Sequence, residues 1–341
     1  MSTATIARRT ASVPAFVTLD IKALENRDLV SIADLEPSEV ATILELAGMV
    51  KARPSDFRAA LNGKQMALFF EKPSLRTRLT FEAGMAGLGG TSIFVDQTAA
   101  PLGAREPLSD IAHNLERWVD VVVLRTFEHA TVTSMAEHAV IPVINALSDL
   151  EHPCQALADF FTLKEKFDDL RAVSLAYVGD GNNMAHSLLL TAACLGSRIT
   201  IASPQGYEPK PAIVGRALVI AARTGATIEI TNDPVAAVTG ADAVYTDVWA
   251  SMGQEHEAAE RRVSFAPFQV NEALMAQAAP NARFMHCMPA HRGEEVTAEV
   301  MDSPQSIAFD QAENRLHVQK AILLLLLGGA ARRFSVRSAH A

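Results

Sequence analysis

Short apolar runs alternate with stretches of helical period from about residue 65 to the end of the chain, and this alternation limits the available folds more than any other feature. The apolar runs cover 65–70, 92–95, 119–124 and 141–146, then 173–178, 198–202, 227–231, 243–247 and 283–287. Between them lie amphipathic segments, such as Phe81, Met85 and Leu88 at i, i+4 and i+7, and the stretch 184–195. Strands that are apolar on both faces and separated by helices belong to parallel sheets covered on both sides. The fold expected is therefore α/β, with two domains, each a mainly parallel sheet covered by helices and linked by helices. The series changes near 148–163, which gives a first domain over 1–150 and a second over 151–311. A last helix, from about 312 to 327, is wholly apolar in its final two turns. That end requires burial, and packing back on the first domain supplies it.

Composition removes several classes of function. The 341 residues are 49% apolar and 20% charged, enough to build two cores, and the net charge is −9. No global basic field favours nucleic acid or an anionic membrane, so an anionic ligand would need a local positive island. The longest apolar run, 321–327, is far below the roughly 20 residues of a membrane span. Three cysteines, Cys154, Cys194 and Cys287, form no CxxC pair, which argues against a disulfide scaffold or a cysteine-rich zinc site and for a reducing, cytoplasmic setting. The first sixteen residues contain two arginines and no acid. They read as a polar leader in preference to an organelle address.

Functional groups of parallel sheets stand at the carboxyl ends of strands, and six such places hold polar residues. In FFEKPSLRTR (69–78) a strand turns into a helix with Ser74 placed to cap it. Cations are normally unfavourable at a helix N-terminus, yet Lys72, Arg76 and Arg78 crowd this one, with only Glu71 and Glu82 nearby. A phosphate dianion on the free N–H groups, hydroxyls and guanidinium would resolve the conflict; arginines facing solvent or paired with the glutamates would also do so. The GxxxxGK[ST] phosphate loop is absent, which counts against an ATPase or kinase. Arg125 follows a buried strand and either bridges phosphate and a carbonyl or forms an interdomain ion pair. In EHPCQALAD (151–159) Pro153 suits the first helical position, so His152 caps and Gln155 shares its face; the pair either donates hydrogen bonds to a substrate carbonyl or amide, or His152 serves only as the cap.

In VGDGNNMA (178–185) the turn superficially matches a dinucleotide fingerprint. The third glycine is missing, and the next strand ends in Ala202-Ser203-Pro204 without the acid that would hold a ribose. Asn183 there either holds a carboxylate or caps the helix. In DVWASMGQE (247–255) Asp247 and Ser251 are suited to an α-ammonium group, or Asp247 to a cap. In HCMPAHRGEE (286–295) Cys287 is a core thiol, a nucleophile or a polar contact. The histidine and cysteine spacing gives no complete metal-ligand set.

Taken together, Ser74-Leu75-Arg76-Thr77-Arg78, His152-Pro153-Cys154-Gln155, Asp247 with Ser251-Met252-Gly253, and His286-Cys287-Met288-Pro289 resemble the carbamoyltransferases. The last two motifs are similar to the ornithine-specific branch of that family. The likeness runs from about residue 29 to 327. It implies two α/β domains, carbamoyl phosphate held mainly by the first, L-ornithine by the second, a homotrimer with active sites near subunit interfaces, and no metal or organic cofactor. Carried over by position, Ser74, Leu75, Arg76, Thr77 and Arg125 would bind phosphate. His152, Gln155 and Arg125 would address the carbamoyl group. Asn183, Asp247, Ser251 and Met252 would hold ornithine's amino-acid end, the last two on a mobile loop. Cys287 and the Met288 backbone would lie by the side-chain amine, and Arg315 by the carbonyl. The sequence departs from the family pattern in two places. Leu75 stands where Thr is common, and Pro101 stands where relatives place a His or Gln reaching the neighbouring subunit, with Arg105 as a substitute for it. Carbamoylation of another amine (putrescine or an N-acylated ornithine), a nicotinamide dehydrogenase and a non-catalytic binding module are the rival readings.

Overall fold

The computed structural model describes residues 24–97, 101–250 and 257–329. The first part of the chain gives α1 (Pro37–Ala52), β1 (Gln65–Phe70), α2 (Leu75–Gly87), β2 (Thr91–Asp96), α3 (Leu108–Leu115), β3 (Val121–Arg125), α4 (His129–His138) and β4 (Val143–Leu147). After α5 (Pro153–Phe167) come β5 (Ser174–Val178), α6 (Asn183–Leu195), β6 (Arg198–Ala202), α7 (Pro211–Thr224), β7 (Thr227–Thr231), α8 (Pro234–Val238) and β8 (Ala243–Thr246). The chain continues through α9 (Ala258–Phe265), α10 (Glu272–Met275), β9 (Arg283–His286), α11 (Ala298–Met301) and α12 (Ala308–Leu326). Two sheets result, ordered β2-β1-β3-β4 and β7-β6-β5-β8-β9. Every pairing in them is parallel. The doubly covered α/β class follows from these sheets.

The two-residue side-chain period explains why the strands read as unbroken apolar runs. Met66, Leu68 and Phe70 of β1 face a core shared with α1, α5 and α12, while Ala67 and Phe69 face a second core with α3 and α4. In β5, Leu175 and Tyr177 face the shared core, while Ala176 and Val178 face the core under α8, α10 and α11. Each large apolar side chain so buried contributes about 1.5–3 kcal/mol. α12 packs on α1, α2 and α5, and its Leu323, Leu324, Leu325 and Leu326 are buried. No helix among the described residues is long and apolar enough to cross a membrane.

Several boundaries differ from the sequence expectation, each for a local reason. β4 starts at Val143 and not 141, because Pro142 has no N–H to give to a ladder. α12 begins a turn before 312; Ile307 at its cap makes no side-chain bond, and Phe309 is exposed, so neither a cap nor an apolar stripe marks the start. β3 retains Arg125 as its last residue, whereas β8 and β9 stop one residue before Asp247 and Cys287. All three side chains therefore stand at the carboxyl rim of the sheets.

Candidate active site

A cavity of about 370 Å³ lies between the carboxyl ends of the two sheets. One wall is the turn from β1 into α2. Ser74 is the N-cap, extended at φ −158°, and its Oγ accepts the Thr77 N–H at 3.3 Å. Thr77 Oγ1 in turn accepts from Ser74 Oγ at 2.9 Å and from an Arg315 guanidinium nitrogen at 2.6 Å. With both lone pairs engaged, the Thr77 hydroxyl has its own hydrogen to donate. Arg76, Arg125 and Arg315 line the same wall, and the Nε of each is buried with no hydrogen-bond partner. Burial, together with repulsion from Arg315 and Arg76, lowers Arg125 from its ordinary value to about 9. Arg315 is lowered too, first by burial, and Arg76 adds repulsion. Three guanidiniums thus share one site.

The neighbouring acids do not neutralise this island. Glu71 is buried, but its carboxylate accepts the Leu102 and Phe127 backbone N–H groups at 3.0 and 2.8 Å. Glu82 pairs with Arg78 at 3.1 Å, and that guanidinium also lies 3.8 Å over the Phe94 ring, so Arg78 is drawn away from the cavity. Lys72 lines the cavity, with its Nζ 4.6 Å from the centre of the Phe127 ring.

One expected cap, His152, and one alternative, a cap at Asn183, are corrected. His152 occupies the N-cap position of α5, but its side chain makes no cap bond. Its backbone N–H donates to Ser187 Oγ at 2.8 Å, while the buried ring Nδ1 has no partner. Burial, then Arg315 and Arg125, hold the imidazole well below its usual range, so it is neutral near pH 7. Gln155 lines the cavity on the same helix. On α6 the cap is Asn182 and not Asn183. Asn182 Oδ1 accepts the Met184 and Ala185 N–H groups, and its Nδ2 donates to Asp247 Oδ2 at 3.1 Å. Asn183 also lines the cavity, donating to the Ser148 carbonyl at 2.6 Å.

The opposite wall accepts hydrogen bonds. Asp247 Oδ1 takes the Val248 N–H at 2.8 Å and the Cys287 thiol at 3.0 Å. Burial and the adjacent Asp247 push Cys287 well above its usual value, so it is a thiol donor and not a thiolate nucleophile. His286 stands behind this wall and outside the cavity. Its Nδ1 accepts the Met288 N–H at 2.9 Å, and its Nε2 donates to Glu295 at 3.2 Å. Although Asp247, His286 and Cys287 cluster closely, both ring nitrogens and the thiol are already committed. Met288, at φ 63°, lines the cavity with its N–H spent, leaving its carbonyl for a ligand. Leu75 sits at the rim, 70% exposed. Pro101 and Arg105 are exposed, while Ser251 and Met252 lie outside the described residues.

The glycine turn before α6 is not an open dinucleotide cradle. A Cβ on Gly181 would lie 2.2 Å from the Pro209 nitrogen and 2.3 Å from the Glu208 carbonyl carbon, so the chain's own backbone fills that space. This counts against the dehydrogenase reading.

Residues 27–165 match the aspartate/ornithine carbamoyltransferase carbamoyl-P binding domain, and residues 171–326 match the Asp/Orn binding domain of the same proteins. The chain belongs to the aspartate/ornithine carbamoyltransferase family. An ornithine carbamoyltransferase from Symbiobacterium thermophilum is 53% identical over 306 residues, 89% of this chain and 99% of that protein. An anabolic ornithine carbamoyltransferase from Pyrococcus furiosus is 49% identical over 311 residues, 91% of this chain and 99% of that one. The solved ornithine carbamoyltransferase structure from P. furiosus superposes with a TM-score of 0.87, covering 90% of this chain and 98% of that chain. A more distant carbamoyltransferase structure, ornithine transcarbamoylase from Giardia lamblia, is 36% identical with a TM-score of 0.81, covering 88% of this chain and 98% of that chain. Asn182 and His291, both lining or buttressing the site, were not singled out by sequence; the doubled asparagine at the helix start is the signal that contained the first.

Proposed function

We propose that this carbamoyltransferase moves the carbamoyl group of carbamoyl phosphate to the δ-amine of L-ornithine, giving L-citrulline and phosphate. One observation carries the reading. Three guanidiniums with unpartnered Nε atoms and a capped helix N-terminus face Asp247 and Cys287 across a single cavity. Ser74, Leu75 through its backbone N–H, Arg76, Thr77 and Arg125 hold the phosphate. Arg125, Arg315 and neutral His152 donate to the carbamoyl oxygen, and Gln155 meets the carbamoyl nitrogen. Asp247 takes the α-ammonium, Asn183 the α-carboxylate, and Ser251 and Met252 complete that end. Cys287 and the Met288 carbonyl flank the reacting amine.

A free δ-ammonium has a pKa of about 10.4, by analogy with lysine, and has no lone pair. Nearby Arg76, Arg125 and Arg315 favour its neutral form. That amine attacks the carbamoyl carbon, Arg125, Arg315 and His152 stabilise the oxyanion as it develops, and the departing phosphate accepts the proton. We assign the carbamoyl-phosphate unit to residues 1–150 together with α12, and the ornithine unit to 151–311. Subunits assemble as a cytoplasmic homotrimer; the exposed Leu75 at the cavity rim and Leu79 one turn later support a covering partner there. A citrulline assay with ornithine, acetylornithine, putrescine and aspartate tests the reading. Turnover with ornithine alone is expected, and a preference for any other amine refutes it.

A further inference from the structure

Asp159 lies one turn after Gln155 on α5 and is fully buried. Its Oδ1 accepts from Gln155 Nε2 and from Gln311 Nε2, each at 2.8 Å, and its Oδ2 accepts from the Tyr245 hydroxyl at 2.9 Å. Burial pushes this carboxyl up to about 6 against the three donors, so it is ionised at neutral pH and accepts only. Gln311 has no freedom to turn its amide around, because its Oε1 takes the His286 backbone N–H at 2.9 Å and a backbone N–H can only donate. Both glutamines therefore point nitrogen at Asp159. For Gln155 the consequence is that Oε1 is the end turned away from the carboxylate. That oxygen is buried, has no partner, and belongs to a side chain lining the cavity.

Arg76, Arg125, Arg315 and Thr77 bring donors to the same cavity, whereas Gln155 Oε1 is an acceptor that none of them reaches. A ligand atom beside Gln155 Oε1 must therefore carry hydrogens of its own. An –NH2 group satisfies the oxygen, whereas a methyl group leaves a buried acceptor without a partner. We propose that Asp159 is a positioning residue that fixes the amide direction of Gln155, and thereby makes the site select carbamoyl phosphate over an acyl phosphate of the same shape. The inference rests on the carbamoyl-phosphate reading of the site. An unpaired buried acceptor corresponds to roughly tenfold to hundredfold in affinity.

The test compares acetyl phosphate, as a competitive inhibitor, with carbamoyl phosphate as substrate, and uses inorganic phosphate as the control. In the unaltered enzyme the Ki for acetyl phosphate should exceed the KM for carbamoyl phosphate by about tenfold or more. In Asp159→Leu that ratio should fall toward one while the Ki for phosphate changes little. Asp159→Asn should keep the ratio, since Asn can hold its oxygen toward the two glutamines and give its amide hydrogens to the Tyr245 oxygen. Should the leucine variant not fold, Asp159→Ser serves. Water filling the vacated space can donate or accept, so the ratio should fall again. An unchanged ratio in the leucine or serine variant overturns the proposal, and so does parallel weakening of all three ligands, which a purely structural role would give. If the unaltered enzyme shows no saturation with carbamoyl phosphate, the underlying reading fails and this one with it.

Discussion

Replacing Arg76 by methionine should improve the empty protein and ruin the enzyme. Methionine keeps an unbranched stem of similar length and removes only the charged fork. In the empty site, no ion pair among the described residues holds Arg76, and it repels both Arg125 and Arg315. At an effective dielectric near 20, partly screened by water, such repulsion is worth about 1 kcal/mol. Removing it should raise the ligand-free Tm by about 2 °C for a chain of this size. With the dianion bound the sign reverses. Deleting one member of a largely buried charge pair costs about 3–5 kcal/mol, so kcat/KM should fall about a hundredfold to several-thousandfold. Ligand-induced stabilisation reports the same loss independently. A saturating ligand at a hundred times its Kd adds about 2.7 kcal/mol to the unaltered protein, and the variant should show little of this gain. Thermal melts with and without carbamoyl phosphate, read beside initial rates of citrulline formation, make the measurement. Near-normal kcat/KM, or a destabilised empty variant that keeps its full ligand response, refutes the argument.

Three further outcomes are expected. Activity should rise from about pH 6 to about pH 9 as the bound amine loses its proton, and a flat pH–rate profile would contradict the proposed nucleophile. Glu151 is buried between Ser31 and the Ile32 N–H, and burial pushes its carboxyl up to about 7 from the usual 4.5. The folded protein therefore holds a proton that the unfolded chain has released, so this group's stability is full below about 4.5 and declines until about 7. Glu151→Gln should thus add up to about 3 kcal/mol at pH 8 and almost nothing at pH 4.5; equal Tm shifts at both pH values would refute this. Asp247→Asn removes the charge that faces an α-ammonium; its Oδ1 can still accept from the Val248 N–H and the Cys287 thiol, while an amide nitrogen replaces the oxygen that accepts from Asn182 Nδ2. The KM for ornithine should rise about tenfold to a hundredfold with that for carbamoyl phosphate unchanged, and separate titrations of the two substrates decide it.

How far the site could be read from sequence depended on whether its logic was local. The crowding of cations at the β1–α2 turn was legible because it is contained in ten residues, but their division was not: Arg78 pairs with Glu82, while Arg76 lines the cavity. The sheets were legible because strands buried on both faces have no polar alternation to obscure them. Asn182 and Asn183 show the limit of local reasoning. Either side chain can cap, and only the backbone at Asn182, φ −82° and ψ −167°, decides which one reaches back. Arg315 could not be found from its surroundings in sequence, because a mid-helix arginine normally reaches solvent; its meeting with Thr77 spans 238 positions.

Asp159 defines the same limit more sharply and explains how a chain of net charge −9 can hold a cationic cavity. Its partners Tyr245 and Gln311 are 86 and 152 positions away. This carboxylate spends its acceptors on those side chains and on Gln155, just as Glu71 spends its own on backbone N–H groups. Glu71 and Asp159 are therefore occupied, the Nε atoms of Arg76, Arg125 and Arg315 have no partner among the described residues, and these donors line one wall of the cavity while Asp247 accepts on the other. On the proposed reading, a donor wall and an acceptor wall lining one cavity favour a single orientation, with the anion against Arg76, the ammonium against Asp247 and the reacting amine between them. The selectivity of the cavity is thus set by the carboxylates that fold back into the protein as much as by the cations that face the ligand.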